Sequence, residues 1–181
     1  DITAADLETG LIVWQLPTQS INILKETHNF KMSNLVSDSK SIFFSNTKNE
    51  FYSIDVNSGT INWRNEINSD ITPVILENLI FTISREGFLY VIEKNNGNII
   101  RITDVYSGYR FKKVKKINPI GFAIGNKNLY LTNKDGKMFV VDLKFGNTIK
   151  IEKISGNIIS RPFIFNDNLY IVRDGSILQY N

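Results

Sequence analysis

Glu50-Phe-Tyr-Ser-Ile-Asp55-Val-Asn-Ser-Gly59-Thr-Ile-Asn-Trp63 is the stretch whose reading decides the fold. An apolar run with Phe51, Tyr52 and Ile54 ends at Asp55; Gly59 follows four residues later and Trp63 four after that. The pattern predicts strand, tight turn, strand. Aspartate suits the turn because its carboxylate accepts a hydrogen bond from a backbone N–H two residues on. Glycine suits the last turn position because it reaches positive φ without a Cβ clash.

The same frame recurs along the chain. Asp6 stands with Gly10, Asp55 with Gly59, Glu93 with Gly97 and Asp142 with Gly146, and the interval from Gly10 to Gly97 equals that from Gly59 to Gly146. Trp14 and Trp63 sit four past the glycine in the first two copies; Arg101 and Lys150 hold that place in the last two. A second frame lies between these. Asn78-Leu-Ile80, Asn128-Leu-Tyr130 and Asn168-Leu-Tyr170 each open a strand that runs to Gly87, Gly136 or Gly175, and Pro73, Pro119 and Pro162 precede them. Each unit therefore reads as four short strands. No window sustains a helical period, so no helix is expected. Four strands in a unit of ~40 residues suggest a propeller blade. Phe88-Leu-Tyr-Val-Ile92 is apolar throughout, as a strand sandwiched between neighbouring blades would be, rather than alternating like a sheet with one wet face. The expected fold is all-β: a β-propeller of four-stranded antiparallel blades, about four of them in this chain, forming a single propeller domain over 1–181.

Bulk composition adds limits. A chain of 181 residues with 42% hydrophobic and 22% charged residues has the make-up of a folded globular protein. A net charge of +3 argues only weakly for an anionic partner. No apolar run approaches the ~18 residues of a membrane-spanning helix. The absence of cysteine excludes disulfides, zinc–thiolate sites and cysteine nucleophiles.

The repeated frame, aromatic-x-x-Asp-x-x-x-Gly-x-x-x-Trp, resembles the PQQ-type propeller repeat. Asp6-Leu-Glu-Thr-Gly10-Leu-Ile-Val-Trp14 and Asp55-Val-Asn-Ser-Gly59-Thr-Ile-Asn-Trp63 fit it best. Glu93-Lys-Asn-Asn-Gly97 and Asp142-Leu-Lys-Phe-Gly146 fit at the turn and lack the tryptophan. The ending, Asn168-Leu-Tyr-Ile-Val-Arg-Asp-Gly-Ser-Ile-Leu-Gln-Tyr-Asn181, is similar to the way BamB-like outer-membrane assembly lipoproteins finish. That resemblance implies an eight-bladed ring and a non-enzymatic periplasmic scaffold, associated with the outer membrane, that supports insertion of β-barrel proteins through protein–protein contacts. It implies no cofactor. Two alternatives stay open: a fragment of a PQQ-dependent dehydrogenase, and a propeller module that binds a surface ligand.

The carboxylates Asp6, Asp55, Glu93 and Asp142 recur once per unit, whereas a catalytic acid is needed once; they are read as turn structure together with Gly10, Gly59, Gly97 and Gly146. Trp14 and Trp63 are read as blade packing because their offset repeats. His28, the one histidine, has no triad or metal-site frame around it. The local anomaly is basic: Arg110, Lys112, Lys113, Lys115 and Lys116 in the connection from Tyr106 to Lys116. As a strand it would present cations on both faces. It is read either as a solvated loop or as a docking patch for an acidic protein surface or anionic headgroups. Nucleic acid is disfavoured, because Phe111 and Val114 make no stacking platform. The chain opens at a third strand and closes before a fourth. The expectation is therefore the C-terminal half of a longer protein, and an isolated piece that self-associates to complete a ring.

Overall fold

The computed structural model describes residues 1–18, 30–108 and 117–180. Among these every regular element is a strand. The first sheet is the hairpin β1 (Ile2–Ala5) and β2 (Ile12–Leu16). The second holds β3 (Val36–Ser37), β4 (Ser41–Asn46), β5 (Glu50–Asp55) and β6 (Ile61–Asn65) in that order. The third holds β7 (Val74–Leu76), β8 (Leu79–Ile83), β9 (Phe88–Glu93) and β10 (Ile99–Asp104). The fourth holds β11 (Pro119–Gly125), β12 (Asn128–Asn133), β13 (Lys137–Asp142) and β14 (Thr148–Lys153). The fifth holds β15 (Phe163–Phe165), β16 (Asn168–Arg173) and β17 (Ser176–Tyr180). Each sheet is an antiparallel meander of chain neighbours, the blade topology expected from the repeats.

The sheets stack face to face in chain order, and the core lies in the seams between them. Successive side chains of a strand point to opposite faces. On β4 and β5, Phe44, Tyr52 and Ile54 therefore pack with Ile2 and Trp14 of the first sheet. Phe43 and Phe51, one position off, pack with Ile80 and Ile92 of the third. On β13, Phe139 and Val141 join Leu89 and Val91, whereas Met138 and Val140 join Leu169 and Ile171 of the fifth sheet. Both faces of the middle strands are dry, which is why their sequences do not alternate. Each such side chain contributes about 1.5–3 kcal/mol by burial. Phe88 is the exception in its strand: it stands 39% exposed at the strand's start.

The innermost strand of the second sheet is short, Val36–Ser37, and is preceded by an isolated bridge between Met32 and Asn46. Pro119 stands ahead of the Asn128 strand, as the repeat frame has it, and is the first residue of the innermost strand, where it costs the sheet no interior ladder bond. Tyr106, read as the start of a polar connection, is core. It is 2% exposed, its ring meets Phe139 edge-on at 5.3 Å, and its hydroxyl donates to Asn133 Oδ1. Gly87 makes room for that ring: a Cβ there would lie 2.1 Å from it. Burial pushes the Tyr106 hydroxyl's pKa up, so it stays a proton donor.

Candidate functional site

The four acidic-to-glycine turns share one backbone. Gly10, Gly59, Gly97 and Gly146 each donate N–H to the carbonyl of the residue four before, at 2.9, 3.0, 2.9 and 2.8 Å. All four glycines have positive φ, from +70° to +80°. The acidic side chains are used differently. Asp6 Oδ1 accepts from the N–H groups of Glu8 and Thr9 and from the Thr9 hydroxyl at 2.7 Å. Asp55 Oδ1 repeats this with Asn57 and Ser58. The Thr9 hydroxyl first, then the backbone, holds the Asp6 carboxyl below its usual pKa; for Asp55 the Ser58 backbone N–H leads. Glu93, one methylene longer, instead accepts from the Asn96 side-chain amide at 2.6 Å. Among the described residues the Asp142 side chain accepts from the Phe145 N–H, at 2.7 Å, and phenylalanine brings no hydroxyl to that place.

Every one of the four hairpins carries a register shift around the turn, between Ala4 and Ala5, Ser53 and Ile54, Ile99 and Arg101, and Val140 and Val141. Such a bulge re-aims the residues that follow it. In the first three hairpins the side chain four past the glycine crosses to the next sheet's turn. Trp14 Nε1 donates to the Val56 carbonyl at 3.0 Å, and Trp63 Nε1 to the Lys94 carbonyl at 2.9 Å. Val56 and Lys94 each stand one past the turn acid of the receiving sheet. The indole then lies on the receiving glycine. A Cβ on Gly59 would sit 2.6 Å from the Trp14 ring, and one on Gly97 2.6 Å from the Trp63 ring. Trp63 is stacked on Phe51 at 5.8 Å behind it.

Arg101 does the same work without an indole. Its guanidinium donates to the carbonyls of Leu143, at 2.8 Å, and Lys144, in the turn that begins at Asp142. Thr103 takes the place over Gly146. The third and fourth sheets are thus joined at the place where the sequence lacks tryptophan. Lys150, the fourth residue of this set, pairs with Glu152 on its own strand at 2.9 Å and lines a groove of about 630 Å3 between the fourth and fifth sheets with Tyr130, Met138 and Tyr180. A further tie joins the second and third sheets: Lys94 Nζ reaches Asp38 Oδ2 at 2.8 Å. Burial pushes the Asp38 carboxyl up, but Lys94 and the N–H groups of Lys40 and Ser41 outweigh it and hold it at about 2.

The turn acids are therefore tied to their own loops and lie one per sheet. Among the described residues no three His, Cys, Asp or Glu side chains gather where they could hold a metal ion. Arg110, Lys112, Lys113, Lys115, Lys116 and His28 lie outside the described residues.

Comparison with known proteins fits this architecture. Residues 1–103 match the family described as "Outer membrane protein assembly factor BamB". The chain belongs to that family. A curated BamB from Shewanella oneidensis is 25% identical over 146 residues, which is 79% of this chain and 32% of the relative. The chain thus spans about a third of that BamB's length. The crystal structure of BamB from Moraxella catarrhalis superposes with a TM-score of 0.59 at 14% identity, over 98% of this chain and 65% of that one. The propeller domain of Cps50 (Swd1) from Myceliophteria thermophila gives 0.67 at 13% identity, over 93% and 54%. The computationally designed Ika4 protein gives 0.63 at 11%, over 86% and 93%. These likenesses carry the β-propeller fold. Membership of the BamB family rests on the repeat sequence, of which the turn acids, the glycines and the two tryptophans are the visible part.

Proposed function

We propose that this chain is part of a non-enzymatic periplasmic scaffold, associated with the outer membrane, that supports assembly and insertion of β-barrel proteins. It acts as one propeller domain, through protein–protein contacts with the barrel-inserting machinery. The match of residues 1–103 to the BamB family carries the reading. The turn chemistry supports it, since the recurring carboxylates are engaged in holding their own loops. The basic cluster Arg110, Lys112, Lys113, Lys115 and Lys116 is the proposed docking patch, suited to an acidic surface.

Co-purification tests the proposal. The full-length protein, exported to the periplasm of a Gram-negative host, should copurify with the barrel-inserting complex, and its deletion should lower the level of barrel proteins in the outer membrane. Failure of both would overturn the assignment. Tight stoichiometric binding of pyrroloquinoline quinone with calcium would replace it with a dehydrogenase fragment.

A further inference from the structure

Asn96-Gly97 closes the third of the acidic-to-glycine turns, where the other copies place Thr9, Ser58 or Phe145 before the glycine. It is the one Asn-Gly dipeptide in the sequence. An asparagine followed by glycine is intrinsically prone to lose its side-chain amide. The reason is steric: glycine has no Cβ to obstruct the approach of its nitrogen to the neighbouring Cγ. Asn96 is exposed to water.

The turn engages the reacting groups in other hydrogen bonds. The Gly97 N–H, the would-be nucleophile, donates to the Glu93 carbonyl at 2.9 Å. The departing amide nitrogen, Asn96 Nδ2, donates to Glu93 Oε2 at 2.6 Å, and Asn96 Oδ1 accepts from the Asn98 N–H at 2.9 Å. From the second sheet, Asn65 Nδ2 donates to the Gly97 carbonyl at 2.8 Å, and the Trp63 ring covers the glycine. The peptide is thus fixed by its own loop and by a neighbouring blade.

We propose that Asn96 is a deamidation site gated by this turn. When the turn opens, the Gly97 nitrogen attacks Asn96 Cγ. The N–Cγ bond forms, the Cγ–Nδ2 bond breaks, and ammonia leaves with the proton given up by Gly97, producing a succinimide. Water then opens the ring at either carbonyl, to aspartate or isoaspartate; no electrons are transferred. In the aspartate product the side-chain carboxylate faces Glu93, where an N–H had donated, so like charges replace a hydrogen bond. Isoaspartate also lengthens the backbone of the turn by one carbon. Either product loosens the seat of Trp63 and with it the joint between the second and third sheets.

The test is incubation of the purified chain in mildly alkaline buffer, native and unfolded in chaotrope. Peptide mapping of the segment from Lys94 to Arg101 follows the exchange of ammonia for water. The unfolded chain should be modified at Asn96 at least about fivefold faster than the native one, the least that two held hydrogen bonds imply. Glu93→Ala should speed the native reaction several-fold, while Glu93→Gln, which keeps an acceptor oxygen, should stay close to wild type; circular dichroism confirms that both fold. Equal rates in native and unfolded chains would overturn the gate. So would an unmodified Asn96 in the unfolded chain, or a Glu93→Ala rate equal to that of wild type.

Discussion

Truncating Trp63 tests the idea that a crossing side chain locks one blade to the next. The indole supplies two separable things: stacking on Phe51, at 5.8 Å and 7° between planes, and a hydrogen bond to the Lys94 carbonyl at 2.9 Å. Removing a fully buried tryptophan to alanine costs about 3–5 kcal/mol. Trp63 is only partly buried, so the expected cost of Trp63→Ala is about 3 kcal/mol. For a chain of this size that lowers the melting temperature by roughly 6–12 °C. Trp63→Phe keeps a ring on Phe51 and loses the N–H, leaving the Lys94 carbonyl to water, at a cost of about 1 kcal/mol. Thermal and urea melts followed by far-UV circular dichroism measure both. A Trp63→Ala loss below about 1 kcal/mol would refute the lock. Equal losses for the two variants would refute the division between stacking and hydrogen bond.

Further outcomes follow from the same geometry. Gly59→Ala should cost about 2 kcal/mol in a urea melt, because the new Cβ meets both a positive φ of +70° and the Trp14 ring at 2.6 Å. Arg101→Met should cost about 2 kcal/mol by losing the bonds to Leu143 and Lys144, and Arg101→Lys should recover only part of this, since an ammonium lacks the fork. Asp38 has its folded pKa depressed from 3.8 to about 2, so the stability it confers is complete above the ordinary aspartate value and fades as pH falls through about 2. Asp38→Asn should therefore cost on the order of 1 kcal/mol near neutral pH, after solvent screening, and approach zero in strong acid, as read from melts across that range. Replacing Lys112, Lys113, Lys115 and Lys116 with glutamine should weaken capture of the barrel-inserting machinery and flatten its salt dependence while the melting temperature holds. An unchanged affinity would return the cluster to a solvated loop.

The propeller was legible in the sequence because its signals are local. A turn needs its acid and its glycine within a few residues, and a strand buried on both faces needs an unbroken apolar run such as Phe88 to Ile92. What depends on the neighbouring sheet was not legible. Arg101 looked like a missing tryptophan because the frame records residue type, whereas the receiving loop needs only an N–H donor of sufficient reach. The two carbonyls it satisfies, at Leu143 and Lys144, lie in the next repeat. Tyr106 looked like loop for a related reason. Its burial is decided by Gly87, whose missing side chain admits the ring, and by Asn133 on another sheet. A closer reading of the repeats could have found Arg101, because its place four past the glycine is fixed even where the residue changes.

The repeats also bear on where recognition should be sought. Positions that recur from unit to unit are spent on joining sheets: the acid and glycine shape the receiving turn, and in three of the four units the residue four beyond reaches across to the next. A partner that must dock in one orientation cannot read features present in every blade, since each would offer an equivalent register. It must read departures from the repeat. Phe145 is such a departure. It stands where Thr9 and Ser58 bond their turn aspartates, it is 64% exposed, and Lys144 lies 5.2 Å from its ring. An apolar ring at a position suited to a hydroxyl gives up a hydrogen bond to Asp142 without burying surface in return. The basic cluster from Arg110 to Lys116 is another departure, carried by a connection between the third and fourth sheets. The turn bearing Phe145 belongs to that same fourth sheet, and Arg101 ties it to the third. The joint between the third and fourth sheets thus carries one of these departures, Phe145, on its receiving turn, and it holds through Arg101 without the tryptophan used at the two joints before it.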